Sequence, residues 1–164
     1  MPEIISNTSP LQYLHQLGVL NVLPKLVTTV TVPPAVEEEL AAGRALGLNL
    51  PDLQNLGWIT VRRPSSSVAL PLVTDLGPGE REVLALALET ADSVCVLDDA
   101  LARQVARALQ LRFTGTLGVL IDAKRAGLIP AVRPHLDELQ SLGFRLAAHT
   151  RIAVLKMAGE STER

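Results

Sequence analysis

The sequence predicts an α/β fold in which a parallel β-sheet is covered by helices on both faces. Short segments rich in β-branched residues alternate along the chain with longer segments of helical periodicity, which is typical of that class. The run 93–97 contains no charged residue, as expected for a parallel strand buried on both faces. Aromatic residues make up only 2% of the chain, so the core must be built from Leu, Val, Ile and Ala.

The length of 164 residues predicts one domain, residues 1–164, which buries a core without needing a disulfide or a metal. Cys95 is the only cysteine, which excludes a disulfide framework and a cysteine-based zinc site. No run of 18 apolar residues predicts a membrane span, and Met1 is not followed by the pattern of a signal peptide. The expected location is therefore the cytoplasm.

The first half of the chain is predicted to contain strands at residues 3–6, 27–32 and 58–61. Ser9 and Pro10 have the residue types of an N-cap and a first helical position, so a helix is expected to begin there. A second helix is expected from Pro33-Pro34 through Leu40. Residues 43–57 are expected to hold short helical pieces.

The second half is predicted to contain strands at residues 93–97 and 111–114, and helices at residues 100–109, 131–142 and 149–158. A strong helix begins at residues 77–80, and another follows residues 115–118 and stops at Gly127. Residues 62–74 form the longest loop-like segment and are expected to be mobile.

Several polar residues are expected to meet because the ends of parallel strands share one edge of the sheet. Asn7, Asp98, Asp99 and residues 114–116 each follow a predicted strand. Together with Glu39 and Glu80, they form an oxygen-rich set that suits Mg²⁺ or Mn²⁺. Each acid also has a simpler interpretation. Glu39 and Glu80 would lie in the first turn of a helix, where the helix dipole favours a negative charge. Asp98 or Asp99 would be the N-cap of the next helix.

Charge is unevenly distributed along the chain. Residues 75–99 carry seven acids and one base, whereas residues 100–164 carry five acids and ten bases. Arg103 and Arg107 share one helix face and would hold a phosphate backbone, or else simply keep the helix soluble. The scarcity of aromatic residues argues against proteins that stack nucleic-acid bases on an aromatic platform.

Five segments together resemble one family: 4–11 (Ile-Ile-Ser-Asn-Thr-Ser-Pro-Leu), 32–40 (Val-Pro-Pro-Ala-Val-Glu-Glu-Glu-Leu), 79–87 (Gly-Glu-Arg-Glu-Val-Leu-Ala-Leu-Ala), 96–103 (Val-Leu-Asp-Asp-Ala-Leu-Ala-Arg) and 114–120 (Thr-Gly-Thr-Leu-Gly-Val-Leu). In this order they resemble the PIN-domain superfamily, in the prokaryotic branch with an Asn-Thr-Ser-Pro-Leu N-terminus and a Thr-Gly-Thr turn. The resemblance extends to toxin ribonucleases of the VapC type. It implies a three-layer α/β/α fold around a parallel sheet of about five strands.

The resemblance also implies a site. The family's acidic positions fall on Asn7, Glu39, Glu80 and Asp99, with Asp98 as the other register for the last of them. Glu39, Glu80 and Asp99 are the expected ligands of Mg²⁺ or Mn²⁺, and Thr116 matches a hydroxyl position near the same groove. Asn7 replaces the usual Asp, so it brings an oxygen without a negative charge.

The resulting hypothesis is a Mg²⁺- or Mn²⁺-dependent endoribonuclease, the toxin of a toxin–antitoxin pair. Its expected catalytic residues are Asn7, Glu39, Glu80 and Asp99, and its expected substrate-binding residues are Thr116, Arg103 and Arg107. An antitoxin protein and a homodimer are the partners implied. The alternative is a weak or inactive PIN-like module that binds RNA or a protein. A small phosphatase with Asp98 as nucleophile is a third interpretation, although its partner motifs are lacking.

Overall fold

The computed structural model describes residues 2–65 and 75–161. The strands are β1 (Glu3–Ser6), β2 (Val30–Val32), β3 (Ile59–Val61), β4 (Ser93–Val96) and β5 (Phe113–Thr114). In these two ranges they form one sheet of five parallel strands in the order β3-β2-β1-β4-β5. The predicted parallel sheet is confirmed.

The α-helices of the described ranges are α1 (Thr8–Gln16), α2 (Leu23–Leu26), α3 (Pro34–Ala45), α4 (Pro78–Leu88), α5 (Ala100–Ala108), α6 (Thr116–Arg125), α7 (Arg133–Ser141) and α8 (Ala148–Met157). Short 3₁₀ turns occupy Leu20–Val22 and Leu53–Asn55. Successive residues of β1 and of β2 are buried, although they point to opposite faces of the sheet. Helices therefore cover both faces, which confirms the three-layer α/β/α prediction.

The strand order creates a crevice beside β1. The chain passes from β1 outward to β2 and β3, then returns to β4 on the other side of β1 and continues to β5. Ligands of open α/β sheets bind at such a reversal, beyond the carboxyl ends of the strands. Ser6 pairs with Val96, and the backbone N–H of Asn7 donates to the carbonyl of Val96 at 3.1 Å. This register brings Asn7 and the residues after β4 to the same edge.

Three predicted boundaries were wrong, and the first of them is the start of β5, which lies at Phe113 rather than at residue 111. Helix α1 begins at Thr8 with Asn7 as its N-cap, so Ser9 is not the cap. Pro10 is accommodated because the first-turn N–H groups of a helix lack an intrahelical acceptor in any case. Strand β2 is limited to Val30–Val32, because Val27 ends α2. The prediction of a mobile loop falls largely on residues 66–74, which lie outside the described residues.

Cys95 lies in β4 and is fully buried. Burial raises the pKa of its thiol to about 12, so it stays protonated at neutral pH. Cys95 therefore serves as a small buried core residue. None of the helices in the described ranges has both the length and the apolar character needed to cross a membrane.

Candidate active site

A cleft of about 370 Å³ opens at the carboxyl edge of the sheet. It is lined by residues that follow β1, residues that follow β4, the start of α4 and the segment after α7: Asn7, Ser9, Tyr13, Glu80, Asp98, Asp99, Gly143, Phe144 and Arg145. The prediction that Asn7, Asp98 and Asp99 meet at the strand ends is confirmed. Glu80 reaches the same cleft from the first turn of α4.

Asn7 is 5% exposed, and its side-chain oxygen Oδ1 has no hydrogen-bond partner among residues 2–65 and 75–161. An Asn at an N-cap ordinarily accepts a hydrogen bond from the first turn of its helix, but this one makes no such bond. A buried acceptor without a partner costs about 1–3 kcal/mol. Such an atom calls for an explanation, and a bound ion or water molecule is one that would satisfy it.

Glu39 lies on α3, and a hydrogen bond from α1 holds its carboxylate near Asn7. The hydroxyl of Thr8 donates to Oε2 of Glu39 at 2.5 Å. The carboxylate is exposed to solvent, and its second oxygen, Oε1, is turned toward the start of α4. Thr8 thus holds one oxygen of Glu39 and leaves the other available.

Gly79 makes room for these two oxygens. A Cβ atom at this position would lie 2.8 Å from Oδ1 of Asn7 and 2.9 Å from Oε1 of Glu39. Any side chain at Gly79 would therefore displace at least one of them. The absence of a Cβ lets an amide oxygen and a carboxylate oxygen approach the same space beside the start of α4.

The carboxylate of Asp98 accepts hydrogen bonds from the starts of two helices. Its Oδ1 accepts the backbone N–H of Thr116 at 2.9 Å, and its Oδ2 accepts the Thr116 hydroxyl at 2.7 Å. The hydroxyl of Ser9 adds a longer bond to Oδ2 at 3.3 Å. Asp98 therefore ties the end of β4 to the starts of α1 and α6, where the N-terminal end of the α6 dipole favours its negative charge.

Asp99 has a local role. Its Oδ2 accepts the backbone N–H of Ala102 at 2.9 Å, and the residue is the N-cap of α5. The simpler interpretation made from the sequence, a helix cap, is thus confirmed for Asp99 rather than for Asp98. Asp99 is exposed and lines the cleft, so it remains accessible to a ligand.

Glu80 is half-buried and folds back over the start of its own helix. Its Oε2 lies 2.8 Å from the position that a Cβ would take at Gly77, the N-cap of α4. Across residues 2–65 and 75–161, no three Asp, Glu, His or Cys side chains form a group able to hold a metal ion. Glu80 and Asp99 line the cleft, whereas Glu39 is not part of its wall, so the three predicted ligands do not make such a group.

The two predicted substrate-binding arginines lie beside the cleft rather than in its wall. Nε of Arg103 donates to the carbonyl of Leu97 at 2.8 Å. The guanidinium groups of Arg103 and Arg107 lie 5.4 and 5.3 Å from the ring centre of Phe113. Cation–π contacts with one ring hold both charges near the end of β5.

Several residues of the cleft were missed by the sequence reasoning. Tyr13, Phe144 and Arg145 line it, and the last two come from a part of the chain that no motif marked. Gly79 was noted only as a helix start. Its signal was available, since a Gly within a helix's first turn is a poor choice unless space or backbone freedom is required.

Comparison with known protein families supports the architecture. A family model described as a PIN domain matches residues 3–160, which is almost the whole chain. A search of curated proteins gave no match.

Proposed function

This chain belongs to the PIN domain family, which has a nuclease-type fold, and on that premise we propose that it is a metal-dependent endoribonuclease. The observation that carries the proposal is the buried Oδ1 of Asn7, which has no partner in the described part of the chain and lies beside Gly79 together with a carboxylate oxygen of Glu39. An oxygen pair of this kind suits Mg²⁺ or Mn²⁺ better than a softer metal.

In this proposal Glu39, Glu80 and Asp99 hold the ion, and Asn7 supplies a neutral oxygen. A divalent ion bound there would orient water and offset the charge of a phosphodiester. Thr8 fixes the carboxylate of Glu39 through its hydrogen bond. Asp98 and Thr116 hold the edge of the cleft in place.

Thr116 acts as a positioning residue rather than through contact with RNA. It is fully buried, and its hydroxyl already donates to Asp98. Arg103 and Arg107 would contact the phosphate backbone outside the cleft, because their charges are held side by side over Phe113.

A cleavage assay tests the proposal directly. Purified protein is incubated with single-stranded and structured RNAs in Mg²⁺ or Mn²⁺, beside Glu39→Gln and Glu80→Ala variants. Removal of either carboxylate should reduce cleavage at least about 100-fold. Glu38→Gln is the matched control, because Glu38 is an exposed neighbour on α3. Cleavage that is equal in wild type and both variants would exclude these residues.

The second candidate is a PIN-like module that binds RNA or a protein without cutting. Two observations favour it: Asn7 brings no charge, and the three predicted acidic ligands form no compact group in the described residues. Calorimetric titration with Mn²⁺ separates the candidates. Micromolar binding that is lost in Glu80→Ala and strengthened in Asn7→Asp supports the enzyme. No binding at millimolar Mn²⁺ supports the module.

We also propose the finer role that the resemblance to VapC-type toxins implies. The protein would act in the cytoplasm as a homodimeric toxin, and an antitoxin protein would cover the acidic cleft. Light scattering of the purified chain tests the dimer. Co-expression with the product of a small neighbouring gene tests the antitoxin, which should abolish RNA cleavage and co-purify with this chain.

A further inference from the structure

Two aromatic rings meet in the wall of the acidic cleft. The ring centres of Tyr13 and Phe144 are 5.1 Å apart, and the ring planes cross at 85°. The chain has only four aromatic residues, yet two of them line this cleft. A T-shaped pair places the edge of one ring against a face of the other, so the opposite face of that second ring is not used by the pair.

The backbone fixes the position of Phe144. Gly143 follows α7 with a φ of +93°, a conformation that favours glycine. The N–H of Gly143 then donates to Gln140 at 3.1 Å, and the N–H of Phe144 donates to Leu139 at 3.0 Å. This helix ending turns the chain back, so the ring of Phe144 packs partly on the core while it faces the cleft.

Arg145 adds a positive charge to the same wall. It is exposed, lines the cleft and makes no ion pair with another residue of the described ranges. The other charged residues of the cleft wall are the acids Glu80, Asp98 and Asp99. A polyanion approaching these acids would therefore find its countercharge at Arg145.

We propose that Tyr13, Phe144 and Arg145 form a nucleotide subsite, in which an unpaired base stacks on the ring pair while Arg145 contacts the adjacent phosphate. The proposal rests on the ribonuclease function above and narrows the substrate to single-stranded RNA. A base within a duplex is stacked on its neighbours, so it cannot reach the rings. The low aromatic content excludes a long stacking platform but leaves this place for one base.

Binding measured without cleavage tests the subsite. The probe is a fluorescein-labelled 12-nucleotide single-stranded RNA containing one 2-aminopurine, titrated in low salt with EDTA. Phe144→Leu and Tyr13→Leu keep an apolar side chain and remove the ring. Each should weaken binding about 5- to 100-fold and abolish the quenching of 2-aminopurine. Arg145→Gln should weaken binding and lower the slope of affinity against salt concentration by about one ion.

Two matched controls are available outside the cleft. Trp58→Leu removes a ring that borders a different hollow, and Lys156→Gln removes an exposed cation on α8. Both should bind the RNA like wild type. Thermal melting of each variant checks its folding, and Arg145→Gln, at an exposed position, keeps the test valid if a ring variant fails to fold.

Three results would overturn the subsite: wild-type affinity in all three cleft variants, equal affinity for the same RNA annealed to its complement, or no binding of the single strand by wild type. The ribonuclease proposal is judged separately, by Mn²⁺-dependent cleavage. RNA binding that depends on Phe144 without any cleavage would support the subsite and refute the enzyme. Mn²⁺-dependent cleavage, together with a normal RNA affinity of Phe144→Leu, would support the enzyme and refute the subsite.

Discussion

The two sides of the cleft use their polar side chains in opposite ways. On the β1 side, Asn7 buries an oxygen that no group in the described structure satisfies. On the β4 side, both oxygens of Asp98 accept hydrogen bonds from Thr116. Both residues follow a strand at the same edge of the sheet, so position alone does not decide their roles. The satisfied carboxylate stabilises the fold, whereas the unsatisfied amide is available to a ligand.

The largest effect that tests this contrast is expected on stability. Asp98→Ala removes the acceptor of two hydrogen bonds from the buried Thr116 and should lower the free energy of unfolding by about 2–4 kcal/mol. Asn7→Ala removes a buried oxygen that has no partner among the described residues, so it should leave that energy unchanged or raise it by up to about 1–3 kcal/mol. Urea denaturation at pH 7 measures both. An equal loss in the two variants would contradict the distinction.

A second test measures metal affinity, which should depend on the β1 side of the cleft. Gly79→Ala places a methyl group against Oδ1 of Asn7 and Oε1 of Glu39, so Mn²⁺ should bind about 10- to 100-fold more weakly. The folded protein should lose little stability, because Ala favours a helix over Gly by about 1 kcal/mol. Calorimetry with Mn²⁺ measures the affinity.

Gly57→Ala is the control for that test, because a Cβ at Gly57 meets nothing within 4 Å. Unchanged Mn²⁺ affinity in Gly79→Ala would show that the space above Gly79 is not a metal site.

The smallest expected effect comes from a second satisfied carboxylate, far along the chain. Glu160 accepts the backbone N–H groups of Val132 and Arg133 at the start of α7, at 2.6 and 3.1 Å, and pairs with Lys124 at 3.1 Å. Burial alone would raise the pKa of Glu160, but these hydrogen bonds and the charge of Lys124 lower it overall. Glu160→Gln should cost about 1–2 kcal/mol at pH 7.

The sign of the pH dependence follows from the lowered pKa. The contribution of Glu160 is complete above the ordinary carboxyl pKa of 4.5 and is lost as the pH falls through the lower value of the folded state. Urea midpoints between pH 7 and pH 3 should therefore converge for wild type and Glu160→Gln. The exposed Glu138 on α7 supplies the control variant, Glu138→Gln. A constant difference at every pH would contradict the assignment.

Much of the architecture followed from local patterns. The predicted strand segments became β1 to β5, and Pro33-Pro34 and Gly127 mark helix boundaries near the predicted positions. Boundaries failed where two local signals competed, as at Asn7 and Ser9, since both residue types suit an N-cap. Tertiary packing chose Asn7, whose backbone N–H pairs with β4.

The candidate site was predictable only in part. The strand-end rule placed Asn7, Asp98 and Asp99 together, because the topology of a parallel sheet fixes where strands end. The rule could not tell whether an acid at a strand end caps the next helix or joins separate elements through hydrogen bonds. It also gave no reason to include Phe144 or Arg145, which reach the cleft only because Gly143 reverses the chain after α7.

The sequence by itself determined the order of strands and helices, the buried character of Cys95 and the set of oxygen-bearing residues at one sheet edge. These depend on periodicity and on capping residues, which act over a few positions. The tertiary structure decided which oxygens are used and which are left unpaired. Those pairings join residues far apart, such as Thr8 to Glu39 and Ser9 to Asp98, and only the packed chain brings their atoms within hydrogen-bond distance.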